Sequence, residues 1–199
     1  MLNRNKERGI LLIILANMFF SVFYYMTYKS IMIDNLYYLP VISFIILIQY
    51  LVFRINRNRI KNKEILDKYY YKFLLISTVT LMIIQFVLLY NFFNTKIDSY
   101  KIISLVISYM IIYIGNIMPQ FKQNSIIGIR TKKTLSNEKV WKEANVVGGI
   151  TLVITGGILF ILSLLLSGKS LIIILLISII IWSFINDIYI SIYCKKNKI

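Results

Sequence analysis

The sequence predicts an all-α integral membrane protein, built as a bundle of six transmembrane helices. Composition and charge distribution lead to this fold class. The 199 residues are 58% hydrophobic and only 16% charged, whereas an ordinary soluble domain is about 45–50% apolar and about 25% charged. The apolar excess lies in long blocks with almost no charge, which is typical of membrane-spanning segments. A soluble globular domain, a disordered chain and a secreted disulfide scaffold are therefore excluded.

Six stretches are long and apolar enough to cross a bilayer, which takes about 20 residues at about 1.5 Å each. They are 9–27, 36–53, 73–92, 102–118, 144–166 and 171–193. The first stretch resembles a signal peptide, but no small-residue cleavage site follows it, so we expect an uncleaved helix. The longest segment between spans, 119–143, leaves no room for a separate soluble domain. We therefore expect residues 1–199 to form a single polytopic membrane domain.

The distribution of positive charge predicts the orientation of these spans. The N-terminus, the loops 54–72 and 119–143 and the C-terminus together hold 19 of the 23 Lys and Arg residues. The alternate loops 28–35, 93–101 and 167–170 hold the other 4. Because positively charged loops remain in the cytoplasm, we expect a multi-pass protein of the bacterial plasma membrane with both termini inside. Tyrosines near the span ends, together with Trp141, fit an aromatic belt at the membrane surface.

Polar side chains inside the spans indicate a structural or functional role, because hydrocarbon offers them no hydrogen-bond partner. Asn17 and Gln85 lie near the centres of the first and third spans, where they predict hydrogen bonds between helices or, alternatively, a polar pocket. A second group lies near the cytoplasmic face, where it predicts a site or a structural polar knot. Its members are Asn116, Asn145, Asn186 and Asp187, the last being the one acidic residue within a predicted span.

The fifth span and the loop before it carry further local signals. Small residues spaced by four, as in Ala144 and Gly148, favour close packing of helices. Pro119 should end the fourth helix, because it lacks an N–H, and Gly128 allows a tight turn. Ser136 is the predicted N-cap of a short amphipathic helix that would place Trp141 at the interface and continue into the fifth span.

Many residues in this part of the chain form a pattern with fixed spacing. It consists of Gly115, Asn116, Met118, Asn124, Gly128, Arg130, Thr131, Thr134, Leu135, Glu138, Val140, Trp141, Asn145 and Gly148, followed by two apolar spans. Over about 115–193 the pattern resembles the immunity proteins for the sporulation-delaying-protein toxin. The resemblance implies a six-span bacterial membrane protein that protects the cell from a secreted, membrane-active peptide. It also implies a signalling role, in which a small DNA-binding repressor is held at the membrane.

The candidate site combines residues carried over from this resemblance with the polar residues of the cytoplasmic face. Its members are Asn116, Asn124, Gly128, Arg130, Thr131, Thr134, Trp141, Asn145 and Asp187. We expect Arg130 to hold the loop by bonding Asp187 or Asn116. Two departures from the family pattern bear on which peptide is recognised. Lys132 and Lys133 replace a usual Pro-Trp pair, and the segment 28–35 lacks the tryptophan and glycines of many members.

The expected partners are a peptide toxin on the extracellular side, anionic lipid and a cytoplasmic transcriptional repressor, with no direct nucleic-acid contact. We expect no enzyme activity, metal or cofactor, because the chain has no histidine and a single cysteine, Cys194. A transporter or channel remains an alternative, although only Asp187 offers an intramembrane charge. Two further alternatives are a docking partner for a cytoplasmic protein and a membrane enzyme in which Arg130 and Asp187 hold a lipid phosphate.

Overall fold

The computed structural model describes residues 4–28, 37–57, 69, 71–93, 97–124 and 127–197. All regular structure within these ranges is helical, and six helices are long and apolar enough to cross a membrane. The predicted all-α class and the six predicted spans are therefore confirmed. The predicted loops 28–35 and 54–72 lie mostly outside the described residues.

The described part of the chain contains six long helices and one short one. They are α1 (Arg4–Tyr28), α2 (Tyr38–Arg57), α3 (Tyr71–Phe93), α4 (Ser99–Ile117), α5 (Lys132–Ser136), α6 (Glu138–Leu165) and α7 (Ser170–Lys196). A single 3-10 turn, Met118–Gln120, follows α4 and contains Pro119. The expected continuation of the short amphipathic helix into the fifth span is confirmed, because α6 is one continuous helix from Glu138 to Leu165. The chain divides into two compact units, Met1–Ser99 and Tyr100–Ile199.

In the N-terminal unit, α1, α2 and α3 run alternately up and down. Glu7 at the start of α1 lies 3.9 Å from the guanidinium of Arg54 near the end of α2. The ring of Phe53 stacks on that of Phe73 at the start of α3, with centroids 5.6 Å apart. The beginnings of α1 and α3 therefore lie at the same end of the unit as the C-terminal part of α2.

Tyrosines gather at the opposite end of the N-terminal unit. The buried side chains of Leu39 and Leu89 form a small core there, against which Tyr24, Tyr25, Tyr28 and Tyr38 pack. The hydroxyl of Tyr38 also donates to the carbonyl of Leu88 at 3.0 Å, which links α2 to α3. Several tyrosines assigned to an aromatic belt thus also contribute to packing between helices.

A polar cluster in the interior connects all three helices of the N-terminal unit. We call it the midspan polar cluster; its members are Asn17, Ser21, Ser43 and Gln85. The amide of Asn17 donates to Gln85 Oε1 and to Ser43 Oγ, both at 3.1 Å. The amide of Gln85 donates to Ser21 and Ser43. The predicted hydrogen bonding between helices at Asn17 and Gln85 is therefore confirmed.

In the C-terminal unit, α6 packs antiparallel to both α4 and α7. At one end of the first pair, Ser163 Oγ on α6 donates to Ser104 Oγ on α4 at 2.8 Å, and both side chains are buried. Lys101 caps the end of α6 by donating to the carbonyl of Leu164 at 2.9 Å. The turn between α6 and α7 contains Gly168, whose φ of +84° favours glycine.

Glycines allow α4 and α6 to approach to backbone contact. A Cβ added to Gly115 would lie 2.7 Å from the carbonyl oxygen of Gly149, and a Cβ on Gly149 would lie equally close to that of Gly115. Seven residues further along α6, a Cβ on Gly156 would lie 2.8 Å from Ile112 Cγ1. By contrast, a Cβ on Gly157 would meet nothing within 4 Å. Small residues of the fifth span therefore do allow close packing, and those that meet α4 are Gly149 and Gly156 rather than the pair Ala144 and Gly148.

Candidate functional site

Several of the family-like residues, including Gly128, Arg130 and Thr134, lie in the loop between α4 and α6, whose described parts are 121–124 and 127–137. We call this segment the loop clasp. Gly128 is its tightest point, with a φ of +115°, a conformation that side-chain-bearing residues rarely adopt. A Cβ there would also lie 2.5 Å from Asn145 Oδ1 and 3.0 Å from the ring of Trp141. Glycine is required both by the backbone conformation and by the lack of space.

Asn145 and Trp141 fasten the two arms of the loop clasp to α6. Asn145 is fully buried; its Oδ1 accepts from the backbone N–H of Ile129 at 3.0 Å, and its Nδ2 donates to the carbonyl of Trp141 at 2.9 Å. The indole N–H of Trp141 donates to the carbonyl of Phe121 at 2.8 Å. Unpaired backbone groups in a buried loop are costly, so these two side chains maintain the loop conformation.

The side chain of Trp141 is not exposed at the protein surface as an aromatic-belt residue would be. Its side chain is only 1% exposed, because its ring packs against Gly128 and its N–H pairs with Phe121. An indole that has a hydrogen-bond partner within the protein can be buried without the cost of an unpaired donor.

Thr131 and Thr134 start α5 with a reciprocal capping box. Thr131 Oγ1 accepts from the backbone N–H of Thr134, while Thr134 Oγ1 accepts from the backbone N–H of Thr131 at 2.8 Å. The buried hydroxyl of Thr134 also donates to the carbonyl of Ile129 at 2.8 Å. At the other end of α5, Gln123 Nε2 donates to the carbonyls of Thr134 and Leu135. Both ends of this short helix are therefore satisfied by side chains.

Two asparagines shape the flanks of the loop clasp. Asn124 Oδ1 accepts from the backbone N–H of Ile127 at 2.8 Å, which forms a local turn. Asn137 Oδ1 accepts from the backbone N–H groups of Lys139 and Val140 and is the N-cap of α6. The predicted cap at Ser136 is therefore wrong by one residue, because the hydroxyl of Ser136 instead donates to the carbonyl of Lys133.

The side chain of Ile129 joins the loop clasp to both α6 and α7. It packs against a buried cluster formed by Val140 and Ala144 on α6 with Ile190 and Cys194 on α7. A Cβ on Gly148 would collide with the Cδ1 of Ile129. Gly148 thus provides the space in which Ile129 is seated.

Polar side chains also join α6 to α7 directly. The indole N–H of Trp182 donates to Thr151 Oγ1 at 3.0 Å and to the carbonyl of Gly148 at 3.2 Å. Asn186 Nδ2 donates to Thr151 Oγ1 at 3.4 Å, and the hydroxyl of Tyr189 donates to Glu143 at 2.6 Å. Sequence reasoning missed Trp182. The available signal was an indole N–H within an apolar span, which needs a partner.

The four polar residues expected to meet at one face are divided by the structure. Asn145 and Asn186 are buried, whereas Asn116 and Asp187 are exposed. The reason is the helical repeat of about 100° per residue: Asn116 follows Gly115, which faces α6, and Asp187 follows the buried Asn186. Arg130 is exposed as well. Within the described ranges no group of three His, Cys, Asp or Glu side chains could hold a metal ion.

Comparison with known proteins matches this chain to a protein family and to a curated relative. Residues 120–186 match the model of the SdpI/YfhL protein family. The chain is 31% identical to "Immunity protein SdpI" of Bacillus subtilis (strain 168) over 118 residues, which is 59% of this chain. The chain spans 56% of the length of that relative. No solved structure matches the chain.

The family match overlaps the loop clasp, α6 and most of α7, which are elements that carry the motif. The six apolar helices and the family match together indicate that the chain is a multi-pass membrane protein. The resemblance seen in the spacing of the loop residues is confirmed, because the segment 120–186 matches the SdpI/YfhL protein family and the chain is similar to an immunity protein of that name.

Proposed function

We propose that this chain is a non-enzymatic immunity protein of the bacterial plasma membrane that protects the cell from a secreted, membrane-active peptide. The observation that carries the proposal is the loop clasp. The family-like residues Gly128, Thr134, Trp141 and Asn145 are the ones that shape and fasten it. Supporting this, the curated relative that matches the chain bears the name of an immunity protein.

The site residues divide into a buried set and an exposed set, which suggests different roles. Thr134, Trp141 and Asn145 are fully or almost fully buried and use their polar atoms within the chain. They act as positioning residues. Arg130 and Asp187 are exposed and can meet another molecule. We assign recognition or signalling to the exposed residues. The buried residues hold the loop clasp in the conformation that presents them.

The proposed topology places both termini and the loop clasp in the cytoplasm, as the excess of Lys and Arg requires. The toxin would then meet the outer ends of the spans, and the loop clasp would report to a cytoplasmic repressor. A probe on Lys132 and tags at either end check this orientation. In intact cells we expect labelling by a membrane-permeant reagent and none by an impermeant one. Labelling by the impermeant reagent would overturn the topology.

Survival of a toxin-sensitive strain tests the immunity role. Cells that express the chain should survive exposure to the peptide at concentrations that kill cells carrying an empty vector. Equal killing of both strains would end the proposal. The result needs a parallel check that the protein is present in the membrane.

A pair of exposed residues from the loop clasp separates recognition from folding. Arg130→Ala should reduce protection, while its membrane level and thermal midpoint stay those of the parent, because the side chain is exposed. Lys122→Ala is the matched control, since it removes another exposed cation from the same loop. Full protection by the Arg130 variant would remove Arg130 from the site.

A further inference from the structure

Exposed lysines are concentrated on α5 and the first two turns of α6. Residues 121–143 contain six Lys or Arg and two acidic residues, Glu138 and Glu143, of which Glu143 accepts a hydrogen bond from Tyr189. We call the part formed by Lys132, Lys133, Lys139 and Lys142 the cationic face, and all four side chains are exposed. The hydrogen bonds that form the loop clasp are made mainly by other side chains, so this charge is not needed to fold it.

An exposed leucine accompanies these lysines. Leu135 is 45% exposed although it belongs to an ordered helix. It follows Lys132 by three residues, so the two side chains are neighbours on the surface of α5. An apolar side chain beside several cations is typical of helices that lie in a membrane interface.

The position of α5 along the length of α7 also fits a helix that lies in the membrane interface. Lys133 Nζ donates to Ser191 Oγ on α7 at 3.0 Å. Ser191 precedes the end of α7 at Lys196 by five residues, which is about 7 Å along the helix axis. The short helix therefore lies beside the last turns of an apolar span, where lipid headgroups are expected, and does not project far beyond it.

The cationic face is also held rigid before any partner binds. The capping box orders the start of α5, and Gln123 bonds two carbonyls at its end. Asn137 fixes the start of α6 one residue later. Since the backbone groups are already satisfied, binding at this surface orders only the lysine side chains.

We propose that the cationic face and Leu135 dock onto anionic phospholipids of the adjoining leaflet. The ammonium groups would lie at the lipid phosphates and Leu135 at the start of the acyl region. Charge complementarity attracts the lipid, at about a fivefold gain in association for each cation near the surface. An acidic soluble protein would satisfy the lysines equally well. The exposed Leu135 and the level of α5 favour lipid over such a partner.

Fluorescence quenching by brominated lipids tests this proposal on the full-length protein. A fluorophore is attached to Leu135→Cys in a Cys194→Ala background, and the protein is reconstituted in vesicles of phosphatidylglycerol and phosphatidylcholine. Bromine is placed on one lipid at a time. We expect brominated phosphatidylglycerol to quench several-fold more effectively, with a preference that weakens as salt is added.

Charge substitutions give the matched comparison. Lys132→Gln and Lys142→Gln should each lower the preference for phosphatidylglycerol about fivefold at low salt. Lys169→Gln removes an exposed cation at the opposite end of α7 and should leave the preference unchanged. Equal quenching by both lipids would overturn the proposal. Quenching of the fluorophore by aqueous iodide alone would also overturn the proposal, because the lysines would then face water and a soluble partner.

Discussion

The two units of this protein both use hydrogen bonds between helices, but they differ in how closely their helices approach. In the N-terminal unit the midspan polar cluster links three helices through side-chain amides and hydroxyls. In the C-terminal unit Gly115 and Gly149 bring two backbones into contact, and the loop clasp is seated on α6 and α7. The family match, 120–186, lies within the C-terminal unit.

The comparison shows which kind of contact between helices constrains their arrangement more strongly. A hydrogen bond between spanning helices contributes about 0.6 kcal/mol on average, and alternative partners can replace it. A backbone contact across two glycines leaves no space for even one added carbon. We therefore expect the C-terminal unit to be the less tolerant of substitution, which agrees with its carrying the segment that matches the family.

The largest effect is expected at the contact of α4 with α6. Gly149→Ala places a Cβ 2.7 Å from the carbonyl oxygen of Gly115, so the two backbones must separate at a cost of about 1–3 kcal/mol. Gly157→Ala is the matched control on the same helix, since its Cβ would meet nothing within 4 Å. Unfolding titrations in mixed micelles measure both variants. Equal stability of the two variants would contradict the close approach.

The next effect concerns the loop clasp. Asn145→Ala leaves the backbone N–H of Ile129 without its acceptor, which should cost about 1–3 kcal/mol. The loop should then open locally and become a substrate for trypsin at Arg130, Lys132 and Lys133. Asn116→Ala changes an exposed side chain and should leave trypsin resistance unaltered. Cleavage at the same rate in the parent and both variants would show that Asn145 does not fasten the loop.

A smaller effect is expected in the midspan polar cluster. A double-mutant cycle of Asn17→Ala and Gln85→Ala should give a coupling energy of about 0.6–1.7 kcal/mol, because the two amides bond each other directly. Asn17→Ala combined with Thr27→Ala should be additive, since Thr27 bonds the carbonyl of Phe23 and shares no partner with Asn17. A coupling near zero in the first cycle would remove the amide pair from the description of this unit.

The smallest effect is expected where α5 touches α7 at the surface. Ser191→Ala removes the acceptor of Lys133, but the contact is exposed and water can replace it. We expect a loss of less than about 0.5 kcal/mol in the unfolding titration. A loss comparable to that of the Asn145 variant would mean that the clasp depends on α7 as much as on α6.

The spans were predictable because a bilayer imposes one length and one polarity on any helix that crosses it. The pairing of Asn17 with Gln85 was predictable for a related reason, since an amide in hydrocarbon needs another polar group. The start of α6 was not predictable to the residue. Ser136 and Asn137 are both good caps, and the choice between them depends on the carbonyl of Lys133, which α5 presents.

The interior of the candidate site was harder to predict than its location. Residue type places Trp141 at a membrane surface, but the loop folds back over it and provides a buried acceptor at Phe121. The exposure of Asn116 and Asp187 depends on the helical phase relative to a neighbour, which residue spacing along one span does not define. The glycine spacing likewise predicted close packing without showing that Gly148 receives a side chain from a loop.

The side chain of Ile129 occupies the space beside Gly148, so the sizes of the residues at positions 129 and 148 depend on each other. Ile129 fills the space that any larger residue at position 148 would take. A bulkier residue at 148 could therefore be accommodated during evolution only alongside a smaller one at 129. Drift at either position is constrained by the other, although 19 residues separate them along the chain.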